Sequence, residues 1–382
     1  LHYDYMDKDV EKSIFHAQTA LEIRPSEPEA KLRLFKAEHS KNWTDIKPDN
    51  PELLAIYNLN PNLYISNMIL GEVSRNNNNY KDAYKYFKKA SKISPKNLNP
   101  VFNIVLTFLM ANRLDKAKVW LEKANKMKPN SFPIYLYYGQ YHLVAKDYKE
   151  SLKALNKAIK KSPKSPKPFE LMSIVFTRMG KKKETILSIK KCSKLEPKNP
   201  YYLKTLGDLY YEEEDLDKSL DSYIKALKLD PEDLSLVGSI GDVYLKKKDY
   251  ENARKQYNEI LQRGNSEEKF YAYHGLGEIF RREKKYIDSI ANFQMALKIK
   301  PEDEETLIEL SLSFYKSENI DESIKTIKRV LDKNPNHPRA NYEYSKYLYK
   351  SGDKKKFKEY LDKSCKLGYE SACKTAGKKM PE

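Results

Sequence analysis

Apolar positions along this chain recur as a fixed set of small and large side chains, and the set repeats every 34 residues. Around residue 206 it reads Leu206, Gly207 and Tyr210, then Ala226 and Pro231. The same order stands at Leu70, Gly71, Ala83, Phe87, Ala90 and Pro95, and again at Leu276, Gly277, Phe280, Phe293, Ala296 and Pro301. Gly139 and Gly241 hold the matching place in their own units. Small residues sit where paired helices approach closely, and large ones fill the space between. Pro95, Pro129, Pro163, Pro197 and Pro231 keep the beat, and Pro301 and Pro335 resume it after one skipped unit. Each proline ends a helix, because it donates no hydrogen bond to the preceding turn and restrains the residue before it. No alternating run is long enough to argue for a sheet. The pattern predicts an array of helix pairs stabilised by stacking on their neighbours.

Complete units are expected at 64–97, 98–131, 132–165, 166–199, 200–233, 234–269, 270–303 and 304–337. The stretch 338–371 reads as a ninth, with a divergent second helix and Gly368 as its stop. The sixth unit has Asn265 where proline is expected and two extra residues, so Gly264 and Asn265 are expected to make a longer turn. Near the front, residues 9–25 fit a second helix, with Ser13, Ala20 and Pro25 in register. Its partner would lie upstream of Leu1, so the expectation is a piece of a longer protein. Residues 26–63 read as a degenerate unit: a helix near 29–42, a loop through Trp43, Pro48 and Pro51, and a short helix to Tyr57.

The order Leu-Gly-x2-Tyr, then Ala-x3-Phe, then Pro resembles the tetratricopeptide repeat over nearly the full length. The resemblance implies an all-α fold, a right-handed α-solenoid superhelix of about ten helix-turn-helix units. It divides the chain into degenerate N-terminal units over 1–63, eight units over 64–337, and a divergent repeat with a capping helix over 338–382. First helices would line the concave surface, and second helices would face outward.

Charge separates the units. Residues 61–199 hold 29 Lys and Arg against 9 Asp and Glu, which exceeds the whole chain's net +17. Such a field favours acidic partners or anionic surfaces; lysines on solvated helix faces are the plainer account. Within this stretch, residues 101–110 are apolar nearly all round. The run is too short to span a bilayer, and it must bury its extra face against something. The family's groove positions fall on Ile65, Met68, Phe102, Leu106, Leu109, Met110, Leu136, Leu143, Val144 and Ile174. They would form an apolar trough for a partner, unless residues 26–63 or tight superhelical packing fill it. From residue 200 the equivalent positions include Tyr201, Lys204, Asp208, Tyr211, Asp242, Tyr271 and His274. That face suits an extended or charged segment, or is an ordinary solvated inner surface.

Other chemistry is sparse. The clamp with which some tetratricopeptide proteins grip a chaperone's terminal carboxylate is absent: its places hold Met68/Glu72, Phe102/Leu106, Leu136/Gln140 and Lys204/Asp208. Lysines 181–183, 246–248 and 354–356 fall near turns and are candidates for a basic ridge. Nucleic acid is argued against, because stacking aromatics in a basic groove are expected there and the basic units show an apolar trough instead. Cys192 replaces a small core alanine. Cys365 and Cys373 stand in a stretch that resembles the cysteine-containing α/α repeats of some secreted bacterial proteins. That likeness implies a disulfide and an oxidising compartment, periplasm or cell surface; two free thiols in a cytosolic protein is the alternative. The six histidines are scattered, and no phosphate-binding loop or nucleophile elbow occurs.

No cofactor, metal or catalysis is therefore expected. The expected function is a non-catalytic protein–protein interaction scaffold, binding an amphipathic helix or an extended, acidic segment in the groove. Peripheral contact with an anionic membrane stays open. The alternative is a structural spacer or assembly factor of a bacterial envelope machine, such as a secretion, pilus or flagellar assembly.

Overall fold

The computed structural model describes residues 6–39 and 43–377, with side chains for 12–39 and 44–377. Among the described residues are twenty-two α-helices and one 3-10 turn, and no strand. The chain divides into two compact units between Glu196 and Pro197.

In the first unit, α1 (Met6–Ile23) packs on α2 (Pro28–Glu38), and a 3-10 turn at Trp43–Asp45 leads to α3 (Pro51–Leu59). Four helix pairs follow: α4 (Tyr64–Asn76) with α5 (Tyr80–Ile93), α6 (Asn99–Met110) with α7 (Leu114–Met127), α8 (Phe132–Val144) with α9 (Tyr148–Lys161), and α10 (Lys167–Arg178) with α11 (Lys182–Leu195). The second unit holds α12 (Pro200–Glu212) with α13 (Leu216–Leu229), α14 (Leu234–Lys246) with α15 (Tyr250–Arg263), and α16 (Ser266–Arg282) with α17 (Tyr286–Ile299). It closes with α18 (Glu304–Lys316) on α19 (Ile320–Lys333), α20 (Pro338–Lys350) on α21 (Lys354–Lys366), and the short α22 (Glu370–Thr375).

Within a pair, sterics explain the repeating glycine. A Cβ at Gly71 would stand 2.5 Å from the Phe87 ring, and one at Gly277 would stand 2.7 Å from Phe293. Gly139 likewise faces Leu155, and Gly207 faces Tyr223. Where the first helix carries Val105, Ser173 or Ser311 at this place, the second carries the smaller Leu121, Ile189 or Ile327 sixteen residues on. Rings thus stand opposite the glycines and aliphatic side chains opposite Val or Ser, with Gly139 facing Leu155 as the exception.

The turn inside each pair is equally regular. Asn78, Asn112, Lys146, Gly180, Glu214, Lys248, Lys284, Glu318 and Gly352 all have positive φ. The next residue caps the second helix. Asn79, Asp147, Asp215, Asp249, Asn319 and Asp353 each accept the backbone N–H three positions on, satisfying one of the donors a helix start leaves open.

Two expectations are corrected. Residues 26–63 do contain a helix, but it ends at Glu38, and α3 runs on to Leu59. Their apolar side chains Leu32, Phe35, Leu53 and Ile56 join Ile69, Leu70 and Val73 of α4 in one core. Gly264 and Asn265 make no longer turn; they are the whole connection between α15 and α16. The extra residues lengthen α16 to 17 residues, because Asn265 starts it early. Asn265 Oδ1 accepts the Glu268 N–H at 3.1 Å, and Glu268 Oε2 accepts the Asn265 N–H at 2.8 Å. That reciprocal pair is a capping box.

Candidate functional site

Helix α6 decides what the first unit can offer. Being apolar on all sides, it is buried on most of them: Pro100, Val101, Phe102, Ile104, Val105, Thr107, Phe108 and Leu109 are all buried or nearly so. Phe102 and Leu109, expected to line the trough, therefore belong to the core. The Phe102 ring lies parallel to Tyr137 of α8, with centroids 4.3 Å apart. Leu109 packs with Ile104, Val105 and Phe108, and Met68 closes on the same cluster beside Tyr137 and Tyr141. Ile65 packs against the core built by residues 26–63. Neighbouring helices have covered much of the extra face that α6 had to bury.

What stays open is a narrower stripe on successive first helices. Leu106, Leu136 and Leu143 are half-buried. Met110 is 52% exposed, Ile174 46% and Val144 36%. Arg75 stands nearby, and the sequence reading did not single it out. Its guanidinium donates to Asn103 Oδ1 at 2.5 Å and lies 5.5 Å from the centre of the Phe87 ring. Burial holds the Arg75 pKa below its ordinary value, against the upward pull of Glu72. The groove position of Arg75, twelfth in its unit and equivalent to Leu109, was the signal available in the sequence.

In the second unit most of the expected residues are engaged by other side chains of the array. Lys204 Nζ pairs with Asp233 Oδ2 at 3.2 Å. Tyr271 and Tyr257 both donate to the Asp242 carboxylate, Tyr257 at 2.7 Å. Burial nevertheless raises the Asp242 pKa, outweighing these two hydrogen bonds. Lys246 Nζ sits 4.7 Å from the centre of the Tyr211 ring, and His274 Nδ1 lies 2.9 Å from Thr306 Oγ1. Tyr201 is exposed. Glu309, which the sequence reading passed over, is buried between Arg281, at 2.8 Å, and Arg339. Its partners lie 28 and 30 residues away, on the preceding and following first helices. That spacing was legible; the burial was not.

Among the triplet lysines, Lys246 pairs with Glu214 at 3.2 Å, Lys247 with Asp217, and Lys356 with Asp353 at 3.3 Å. These pairs take up charge that a basic ridge would need. Aromatic rings do stand among the basic residues of the first unit, contrary to expectation, but on its second-helix side: Tyr84 and Trp120 meet edge-on at 6.1 Å. Cys365 and Cys373 form a disulfide with Cα atoms 4.6 Å apart, beside Leu361 and Ala372. Burial pushes the Cys192 thiol up to about 12. Among the described residues, no group of His, Cys, Asp and Glu is placed to hold a metal, and no helix is long and apolar enough to cross a membrane.

With this geometry in hand, known proteins add the following. Residues 132–274 match the family model for the N-terminal tetratricopeptide-repeat region of Psidin, and residues 76–137 and 308–368 match tetratricopeptide-repeat models. Among curated proteins, none matches the chain in sequence. A tetratricopeptide-repeat protein from Parabacteroides merdae is similar in structure, with a TM-score of 0.53 at 18% identity over 64% of this chain and 96% of that one. The C-terminal part of a repeat-containing protein from Cytophaga hutchinsonii gives a TM-score of 0.51 at 15% identity, over 63% of this chain and 98% of that one. Both likenesses bear on fold alone.

Proposed function

The chain belongs to the tetratricopeptide-repeat family, and from that premise we propose that its first unit binds the apolar side of a partner helix along α6, α8 and α10. A general role as a protein-interaction scaffold follows from the repeat fold; the partner's chemistry is our reading of the residues. The observation that carries it is the run of outward apolar side chains, Met110, Val144 and Ile174, on three successive first helices. They lie inside the stretch that holds 29 Lys and Arg against 9 Asp and Glu. Covering such half-open side chains contributes about 1 kcal/mol each, too little alone for tight binding once orientation is lost. Acidic residues flanking the partner's apolar stripe would be steered by the surrounding charge and add to it. The mode is helix-in-groove recognition.

Photocrosslinking from the native cell tests this, with a photoreactive amino acid placed at Met110, Ile174 or, as a control, the 83% exposed Ile287. The expected result is one shared product from positions 110 and 174, absent at 287, whose crosslinked segment is amphipathic and acidic. Equal labelling from all three positions, or a shared segment that is neither amphipathic nor acidic, would rule the groove out.

A further inference from the structure

The first unit has a second concavity, on the side of its second helices. A cleft of about 640 Å³ opens between α5 and α7, with Phe108 of α6 at its base. Tyr84 and Trp120 form its aromatic walls, with Tyr84 5.1 Å from Phe108 between ring centres. Val119, 64% exposed, stands in the lining as an apolar side chain that nothing in the fold requires to be outside. The opening is strongly basic. Lys81, Arg113 and Lys116 line it against one carboxylate, Asp115. Lys88 and Lys123 approach the same rings from the surface, and none of these five cations is ion-paired among the described residues.

How the cations sit indicates the ligand. Lys88 Nζ lies 5.4 Å from the centre of the Tyr84 ring, Lys116 Nζ 5.8 Å from that of Phe108, and Lys123 Nζ 4.6 Å from that of Trp120. One side of each ring is thus occupied by the protein's own ammonium group, which sets cationic donors around an apolar floor. An ammonium held over a ring keeps donors free for a carboxylate. Volumes of this order accept a bulky side chain together with the backbone that carries it. We propose that this cleft is a docking site for an acidic peptide segment bearing one aromatic anchor. The anchor packs over Val119 against the touching edges of Tyr84 and Trp120, and its flanking carboxylates pair with Lys81, Lys116 and Lys123. The site is separate from the groove of the first helices, so a scaffold using both holds two segments at once.

Trp120 reports on the cleft directly. The chain has two tryptophans, and in the full chain Trp43→Phe leaves Trp120 as the only indole emitter. The probe is the peptide acetyl-EEDDFDDEE-amide, compared with the same peptide carrying Gly for Phe and with a twenty-nucleotide oligothymidylate. The expected result is a saturable change in Trp120 emission with the Phe peptide. Affinity should fall about tenfold or more with the Gly peptide, and similarly in Val119→Asp and in Lys116→Glu/Lys123→Glu. All three substituted side chains are exposed, so these variants keep the fold, and Ile287→Asp, far along the chain and 83% exposed, should bind the Phe peptide unchanged. No saturable change up to ~1 mM peptide, or equal affinity for the Phe and Gly peptides, overturns the proposal. So does equal weakening by Ile287→Asp. Oligothymidylate binding that depends on Val119 and Lys123 while the peptide fails would assign the cleft to nucleic acid instead.

Discussion

Seven of the nine pair-closing turns place a residue with a side chain where positive φ favours glycine: Asn78, Asn112, Lys146, Glu214, Lys248, Lys284 and Glu318. Gly180 and Gly352 show the unstrained solution at the same position. For a lysine or glutamate the left-handed conformation costs about 1 kcal/mol that glycine does not incur, partly offset by glycine's freer unfolded chain. Lys146→Gly and Lys284→Gly should therefore each stabilise the full chain by ~0.5 kcal/mol or more, read from urea denaturation. Unchanged or lowered midpoints would mean that the turn is held by something other than backbone preference. Most of this scale was legible in the sequence, since glycine against a large ring and proline at a helix end act through local sterics. The burial of Phe102 was not, because it depends on Tyr137 arriving from the next unit to cover it.

At the scale of elements, α16 shows how the array absorbs an irregularity. The two extra residues of the sixth unit entered a helix, although their lack of proline suggested a turn. The deciding signal, Asn265 followed by Glu268, is a capping-box pattern that stands plainly in the sequence and outweighs the missing proline. Asn265→Ala should cost about 1 kcal/mol of stability and fray the first turn of α16, seen as faster amide exchange over residues 266–269. Preserved protection there would show that packing alone starts the helix. Helix α6 makes the complementary point. Its composition announced that an extra face needed covering, but only the placement of α4 and α8 reveals that most of the cover is internal.

For the whole molecule, the three cysteines offer a simple check on the assembled fold. Buried, with its thiol pushed up to about 12, Cys192 presents almost no thiolate near neutral pH. Cys365 and Cys373 are tied to each other. Alkylation followed by intact-mass measurement should add no group to the native chain, one in denaturant, and three in denaturant with reductant. Three additions without reductant would remove the disulfide. Fold class was legible over the whole length because one period governs it; which surfaces stay open was not, because that is settled pair by pair. The matching of Gly71 with Phe87, Gly207 with Tyr223 and Gly277 with Phe293 lies entirely within single helix pairs. Genetic exchange that moves a complete pair therefore carries both halves of its lock, whereas a crossover between the two helices separates them. A lineage of such chains is free to shuffle, duplicate or delete whole pairs, and so to vary its binding surfaces, without reinventing how any pair closes.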